Sequence, residues 1–165
     1  MIKKFLLAVA MIIPMFASAQ SLKVGLVDTN SIIGAMPETT SAQTTLKEIQ
    51  KRYETDYNKL QEELSRQYDE LSKMGEDELP AIRDRKVREF QDNQQKLQAF
   101  EQQIMQDLQK KQEELMTPIM QKVRSAIESV GKEGGYSLIQ ELGQQLYFGA
   151  PVEDVTPQVK SRLGL

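Results

Sequence analysis

The side chains able to do chemistry in this sequence are carboxylates and lysines, because its 165 residues include neither His nor Cys. Those absences remove Cys–His nucleophiles, imidazole general bases and the commonest zinc ligand sets. Carboxylate or lysine chemistry would need such groups gathered in a pocket, and no spacing here gathers them. The stretch GKEGG at Gly131–Gly135 holds Gly and Lys. It lacks the spacing and the following Ser or Thr of a phosphate loop, so it reads as turn chemistry. Arg83, Arg85, Lys86 and Arg88 make a small basic patch opposite Glu76, Asp77 and Glu78. Mixed charge of that kind solubilises a turn rather than recognising an anion. The expectation is a chain with no catalytic residues, no metal site and no cofactor.

The elements that hold these residues begin after a leader. MIKKFLLAVAMIIPMFASAQ has a basic start, an apolar run from Phe5 to Phe16, and small residues Ala17 and Ala19. This is the secretory signal pattern, with cleavage expected after Ala19, the signal peptide being residues 1–19. The apolar run is shorter than the roughly 20 residues a bilayer span requires. Beyond it, 19 basic residues face 24 acidic ones. Nucleic acid demands clustered positive charge, so that balance argues against it. The expected product is a soluble, exported protein whose lack of Cys leaves the oxidising space nothing to cross-link.

Three zones follow. A short strand, Lys23 to Val27, leads through Asp28-Thr29-Asn30 into one helical turn at Ile32 and Ile33. Pro37 then suits a helix start, where its missing N–H costs nothing. The second zone is helical from Pro37 to Val130 and is broken once, between Met74 and Pro80. Gly75 is the expected C′ residue of the first helix. A polar break ending in Pro makes the chain reverse, giving two antiparallel helices.

Their apolar residues keep one rhythm. Ala42, Tyr53 and Leu64 are eleven apart, as are Leu46, Tyr57 and Tyr68, and Ile49, Leu60 and Leu71. In the second helix Leu97, Leu108, Ile119 and Val130 form one such register and Ile104, Leu115 and Ala126 another. A third is weaker, with Phe90 and Val123 but also Glu101 and Gln112. Eleven residues over three turns is close to the natural helix, so both helices should run nearly straight and pair with each other. The remaining faces are polar, with nine glutamines between Gln91 and Gln112.

Toward its end the second helix widens. Met116, Met120 and Ile127 open a second apolar stripe beside Leu115, Ile119, Val123, Ala126 and Val130. A face that wide is buried on two sides. Pro118 should bend the helix there, at the joint between a free arm and a packed base.

The third zone, Gly131 to Leu165, reads as Tyr136–Gln140 and Gln145–Gly149 strands joined around Leu142-Gly143, then a short strand at Val152–Val155. Thr156-Pro157 starts a last helix that Gly164 ends. The strand Lys23–Val27 must pair with these C-terminal strands, closing one small body at the root of the hairpin. Three or four short strands and two helix ends are too little for an independent core. Their sheet would also leave open edges. Identical chains are therefore expected to complete the base, in a number the spacing leaves open. The base would be packed by Val24, Leu26, Met116, Ile119, Met120, Val123 and Ile127. The fold class is α+β: a long antiparallel helical hairpin arm, residues 37–112, projecting from a small β-rich oligomerisation body, residues 20–36 and 113–165.

VGLVDTNSIIGAMPET, the helical hairpin, ELMTPIMQKVRSAIESVGKEGGYSLI and LYFGAPVEDVTPQVKSRL together resemble the Skp/OmpH periplasmic chaperones in the right order. The most specific segments are the strand running into Asp28, Pro118, Gly135-Tyr136 and Asp154-Val155-Thr156. The resemblance implies a jellyfish-like homotrimer whose arms enclose a cavity. There, without ATP, unfolded outer-membrane β-barrel proteins would be held in transit and kept from aggregating. Client contacts would come from off-stripe apolar residues: Val87, Phe100 and Met105 along the arm, Met74 and Leu79 at its tip. Well-known members are strongly basic, whereas this arm carries 13 basic and 15 acidic residues between Leu46 and Gln112. Lipopolysaccharide or membrane-surface binding is therefore not carried over. The alternative is a non-enzymatic coiled-coil adaptor of the cell envelope.

Overall fold

The computed structural model describes residues 22–75, 78–143, 145, 147, 149 and 152–165. Residues 1–21, with the expected cleavage site at Ala19, lie outside the described residues, as do Glu76 and Asp77 of the turn. The order is β1 (Val24–Val27), α1 (Thr29–Ala35), α2 (Pro37–Ser72), α3 (Pro80–Gly134), β2 (Leu138–Glu141), β3 (Val152–Asp154) and α4 (Thr156–Leu163).

Both long helices open on proline at the first helical position, with Met36 and Leu79 extended before them. At 1.5 Å per residue, the 36 residues of α2 and the 55 of α3 make rods of about 54 and 82 Å. Gly75 is not the C′ residue of α2. Lys73 caps the helix in right-handed geometry, its N–H reaching the Asp69 carbonyl and the Met74 N–H that of Leu71, so Gly75 comes two residues after the cap. A tightened last turn satisfies the orphan carbonyls without a left-handed residue.

Helix α3 also runs past its expected end at Val130, through Gly131 to Gly134. Gly135, at φ 65°, supplies the left-handed cap: its N–H reaches the Lys132 carbonyl and the Tyr136 N–H reaches that of Gly131. Glycine is tolerated in that last turn because tertiary contact outweighs its propensity of about 1 kcal/mol; the Gly131 Cα faces the end of the Ile139 side chain. Pro118 lies inside α3. Ile119, the next residue, is the first buried position of the helix.

The sheet is parallel, in the order β2-β1-β3. Val24 stands opposite Leu138 on one side and Val152 on the other. As expected, β1 pairs with the C-terminal strands: β2 and β3 each join it, across more than a hundred residues, and they do not pair with each other. Of the expected strand at 145–149, Gln145, Tyr147 and Gly149 are not in a strand, and its other residues lie outside the described residues. In the central strand Gly25 admits a close approach: a Cβ there would lie 3.2 Å from both Tyr136 and Val155 side chains. A single chain closes a core over this sheet. Ile32 and Met36 from α1 and its end meet Ile119, Val123, Ala126 and Val130 of α3, with Val155 and Val159 from the C-terminal segment.

Candidate functional site

Side chains join α2 to α3 in an ordered ladder from the base to the turn. Lys122 pairs with Glu38 at the base. Farther along, the Tyr53 hydroxyl donates to Asp107 at 2.8 Å and the Tyr57 hydroxyl to Glu101 at 2.8 Å. Phe100 meets Tyr53 edge to face, with ring centroids 6.0 Å apart. Near the turn come Asn93 with Gln67 at 3.2 Å, Phe90 with Tyr68 at 6.3 Å, and Lys86 with Glu70 at 2.6 Å. These pairs explain the weak third register of α3. Glu101 occupies an apolar slot of the eleven-residue repeat, and the tyrosine opposite supplies it a hydroxyl instead of a methyl.

The electrostatics follow from the same bonds. Donation to Asp107 and Glu101 pushes the Tyr53 and Tyr57 phenols above their ordinary value, because the anionic neighbour opposes a second negative charge. The Lys86 ammonium holds the Glu70 carboxyl below its ordinary range, and Lys122 does the same for Glu38. The basic patch near the turn is thus partly spent on neighbours: Lys86 on Glu70, and Arg85 on Glu89 at 3.7 Å.

The five expected client-contact residues fall into two groups. Leu79 and Met105 are about two-thirds exposed, at 65% and 66%, and Val87 is exposed as well. Met74 is half-buried, and Phe100 is turned into the ladder against Tyr53. The spacing placed Leu60 and Tyr68 in the seam, yet both are exposed, Tyr68 at 62%. Three adjoining registers make a stripe wider than one partner helix covers, so its flank stays in water.

At the base, the expected packing residues divide. Leu26, Ile119 and Val123 are buried within the chain, whereas Val24, Met116 and Ile127 are half-buried and Met120 is exposed. Met116, Met120 and Ile127 line an apolar hollow of about 570 Å³ beside Thr29 of α1.

The most specific sequence segments meet at one junction near it. Asp28 accepts the Ser31 N–H at 2.8 Å and so caps α1. The Asp28 N–H in turn donates to the Thr156 hydroxyl at 2.9 Å. Thr156 is therefore not the cap of α4; it lies inside the helix, and Asp154 accepts its N–H at 2.9 Å. Near the start of β1 Tyr136 donates to Glu153 at 2.5 Å, with the Lys23 ammonium 4.0 Å above its ring. Each of these groups closes a helix end or ties a strand. Among the described residues no cluster of three or more carboxylates could hold a metal ion, and no helix is long and apolar enough to cross a membrane.

The comparisons with known proteins agree with this architecture. No curated protein matches the chain significantly. Among solved structures, that of a candidate outer membrane chaperone (OmpH-like) from Caulobacter crescentus is similar, with a TM-score of 0.72 at 13% identity. The match covers 85% of this chain and 82% of that one, and at that identity it shows a shared fold. The family model for outer membrane protein (OmpH-like) matches residues 23–163, from the start of β1 to the end of α4, and the chain belongs to that family.

Proposed function

We propose that this protein is an ATP-independent periplasmic holdase that shelters unfolded outer-membrane β-barrel proteins. Residues 1–19 would direct export and be removed, residues 37–112 would form the client-holding arm, and residues 20–36 with 113–165 would form the oligomerising body. The observation that carries the reading is the surface of the long helices. Between Gln43 and Pro118 no described residue is buried, yet Leu60, Tyr68, Leu79, Val87 and Met105 stand exposed on a polar background. Scattered apolar contacts on a solvated rod give many weak, adaptable interactions, which a holdase needs in order to release its client.

Three such hairpin arms around one base would enclose a cavity. The half-buried hollow at Met116, Met120 and Ile127 is where a second and third copy would complete the body, with Pro118 at the joint. The functional test dilutes a denatured β-barrel protein into buffer without nucleotide, with and without a molar excess of this protein. Suppressed light scattering supports the holdase reading; unchanged aggregation overturns it. Scattering by the protein alone tests the assembly, where a monomer mass would remove the cavity.

A further inference from the structure

Two hollows of similar size lie along the long helices, and their chemistry is opposite. One, of about 600 Å³, is lined by Glu48, Lys51, Arg52, Asp56 and Lys59 with Thr55. The other, of about 490 Å³, has an apolar floor of Leu64, Tyr68, Phe90 and Leu97. Its rims carry Gln61 and Ser65 from α2 and Gln94 and Gln98 from α3. Its one charged lining residue, Glu101, already accepts the Tyr57 hydroxyl. Among the described residues, the four rim side chains make no hydrogen bond that would occupy them.

From this groove we infer that the arm holds an extended, uncharged polypeptide segment with alternating apolar side chains, seated on the Tyr68–Phe90 floor. The inference rests on the holdase reading and gives it a site. The rim spacing carries it. Gln61 and Ser65, like Gln94 and Gln98, are four residues apart on a helix, which is about 6 Å. An extended chain repeats every two residues, about 6.7 Å, and turns a backbone N–H and C=O to the same edge at each repeat. Neutral donors and acceptors on both rims can therefore meet successive backbone groups of one strand. The residues between those groups point alternately down to the aromatic floor and up to water. Strands of outer-membrane barrels have that dyad alternation of apolar and polar residues. Charged segments fit it less well: its one carboxylate, Glu101, is bonded to Tyr57 and repels anions, whereas the other hollow offers both signs.

The test uses a fluorescent synthetic peptide of about ten residues, the length of a barrel strand. Tyr, Leu and Val alternate with Ser and Thr, and a second peptide has the same composition with its apolar residues in one block. Fluorescence anisotropy with the full mature protein should show tighter binding of the alternating peptide. Tyr68→Ser should weaken it roughly fivefold to tenfold, the scale of one aromatic contact. Lys51→Gln in the charged hollow should leave it unchanged. Tyr68 is exposed, so the variant keeps its fold, which far-UV circular dichroism checks. Equal affinity of wild type and Tyr68→Ser overturns the groove, and does so even when both proteins still suppress barrel-protein aggregation. Peptide binding that depends on Tyr68, in a protein that suppresses no aggregation, supports the groove and overturns the holdase reading. A drop in oligomeric mass on Tyr68→Ser seats a second copy in the groove and overturns the peptide assignment.

Discussion

Helix α3 belongs to two environments, and the contrast between them is informative. In its last turns Ile119, Val123, Ala126 and Val130 are buried against α1 and α4, as in any small globular core. In its first nine turns the residues facing α2 include Lys86, Asn93, Glu101 and Asp107, and none is buried. One half is held by shared exclusion of water, the other by separate pairs that water reaches. A structure of the second kind can open locally without costing the first its core. Stability and adaptability are thereby assigned to different parts of one continuous helix.

The largest expected effect tests that division directly. Ile32 is fully buried at the centre of the base. Ile32→Ala should lower the stability of the fold by about 2–5 kcal/mol, the range for truncating a core aliphatic that leaves a cavity. Leu60→Ala, at an exposed arm position, should change it by less than about 0.5 kcal/mol. Urea unfolding followed by circular dichroism compares the two. Equal losses would mean that the arm is as tightly integrated as the base, and the comparison would collapse.

The same contrast explains what could be read in the sequence. The long helices were legible because their eleven-residue rhythm and their N1 prolines are local signals, and β1 was legible as a short apolar run before a turn. That β1 pairs with the C-terminal strands was legible too; its place at the centre of a parallel sheet was not. Leu142-Gly143 looks like a hairpin turn, but β1 offers two unpaired edges, and each later strand takes one. That choice is made by packing across more than a hundred residues, which no local pattern encodes. The end of α3 was misplaced for a similar reason, since Gly131 stops a solitary helix and not one braced by Ile139. Along the arm, the exposed Val87 and Met105 were legible as off-stripe residues, whereas Leu79, eleven before Phe90, lies on the stripe extended backward and is exposed all the same. Tyr68 was not legible, because periodicity assigns a residue to a stripe without saying which side of the stripe a neighbour covers.

Polar bonds give a smaller, sharper version of the comparison. Thr156 is buried and accepts the Asp28 N–H, so Thr156→Val should leave that donor without a partner. The expected loss is about 1–3 kcal/mol, the desolvation cost of an unmet buried group. Tyr57→Phe removes a bond of the same length, 2.8 Å against 2.9 Å, but from an exposed site where water replaces it. Its loss should stay below about 1 kcal/mol. Differential scanning calorimetry on the two variants reads both. A larger loss from Tyr57→Phe would show that the ladder, not the junction, carries the polar stability.

The smallest expected effect is one of acidity. Glu70 is held below its ordinary value of 4.5, first by its hydrogen bond to Lys86 and then by the charge of that ammonium. A carboxyl whose value is lower in the folded state than in the unfolded one binds protons more weakly when folded. Its contribution is therefore fully present above pH 4.5 and fades as the pH falls through the lowered value. Lys86→Gln should lower the thermal midpoint slightly at neutral pH, and the difference from wild type should shrink below pH 4.5. Because the pair is exposed, salt should shrink it too. The buried aliphatic cluster of the base holds no titratable group, so the gap between wild type and Ile32→Ala should not close over the same pH range. A gap for Lys86→Gln that is flat with pH and salt would mean that the lysine acts through its aliphatic stem, packed along α2. The arm would then borrow from the base's way of holding together.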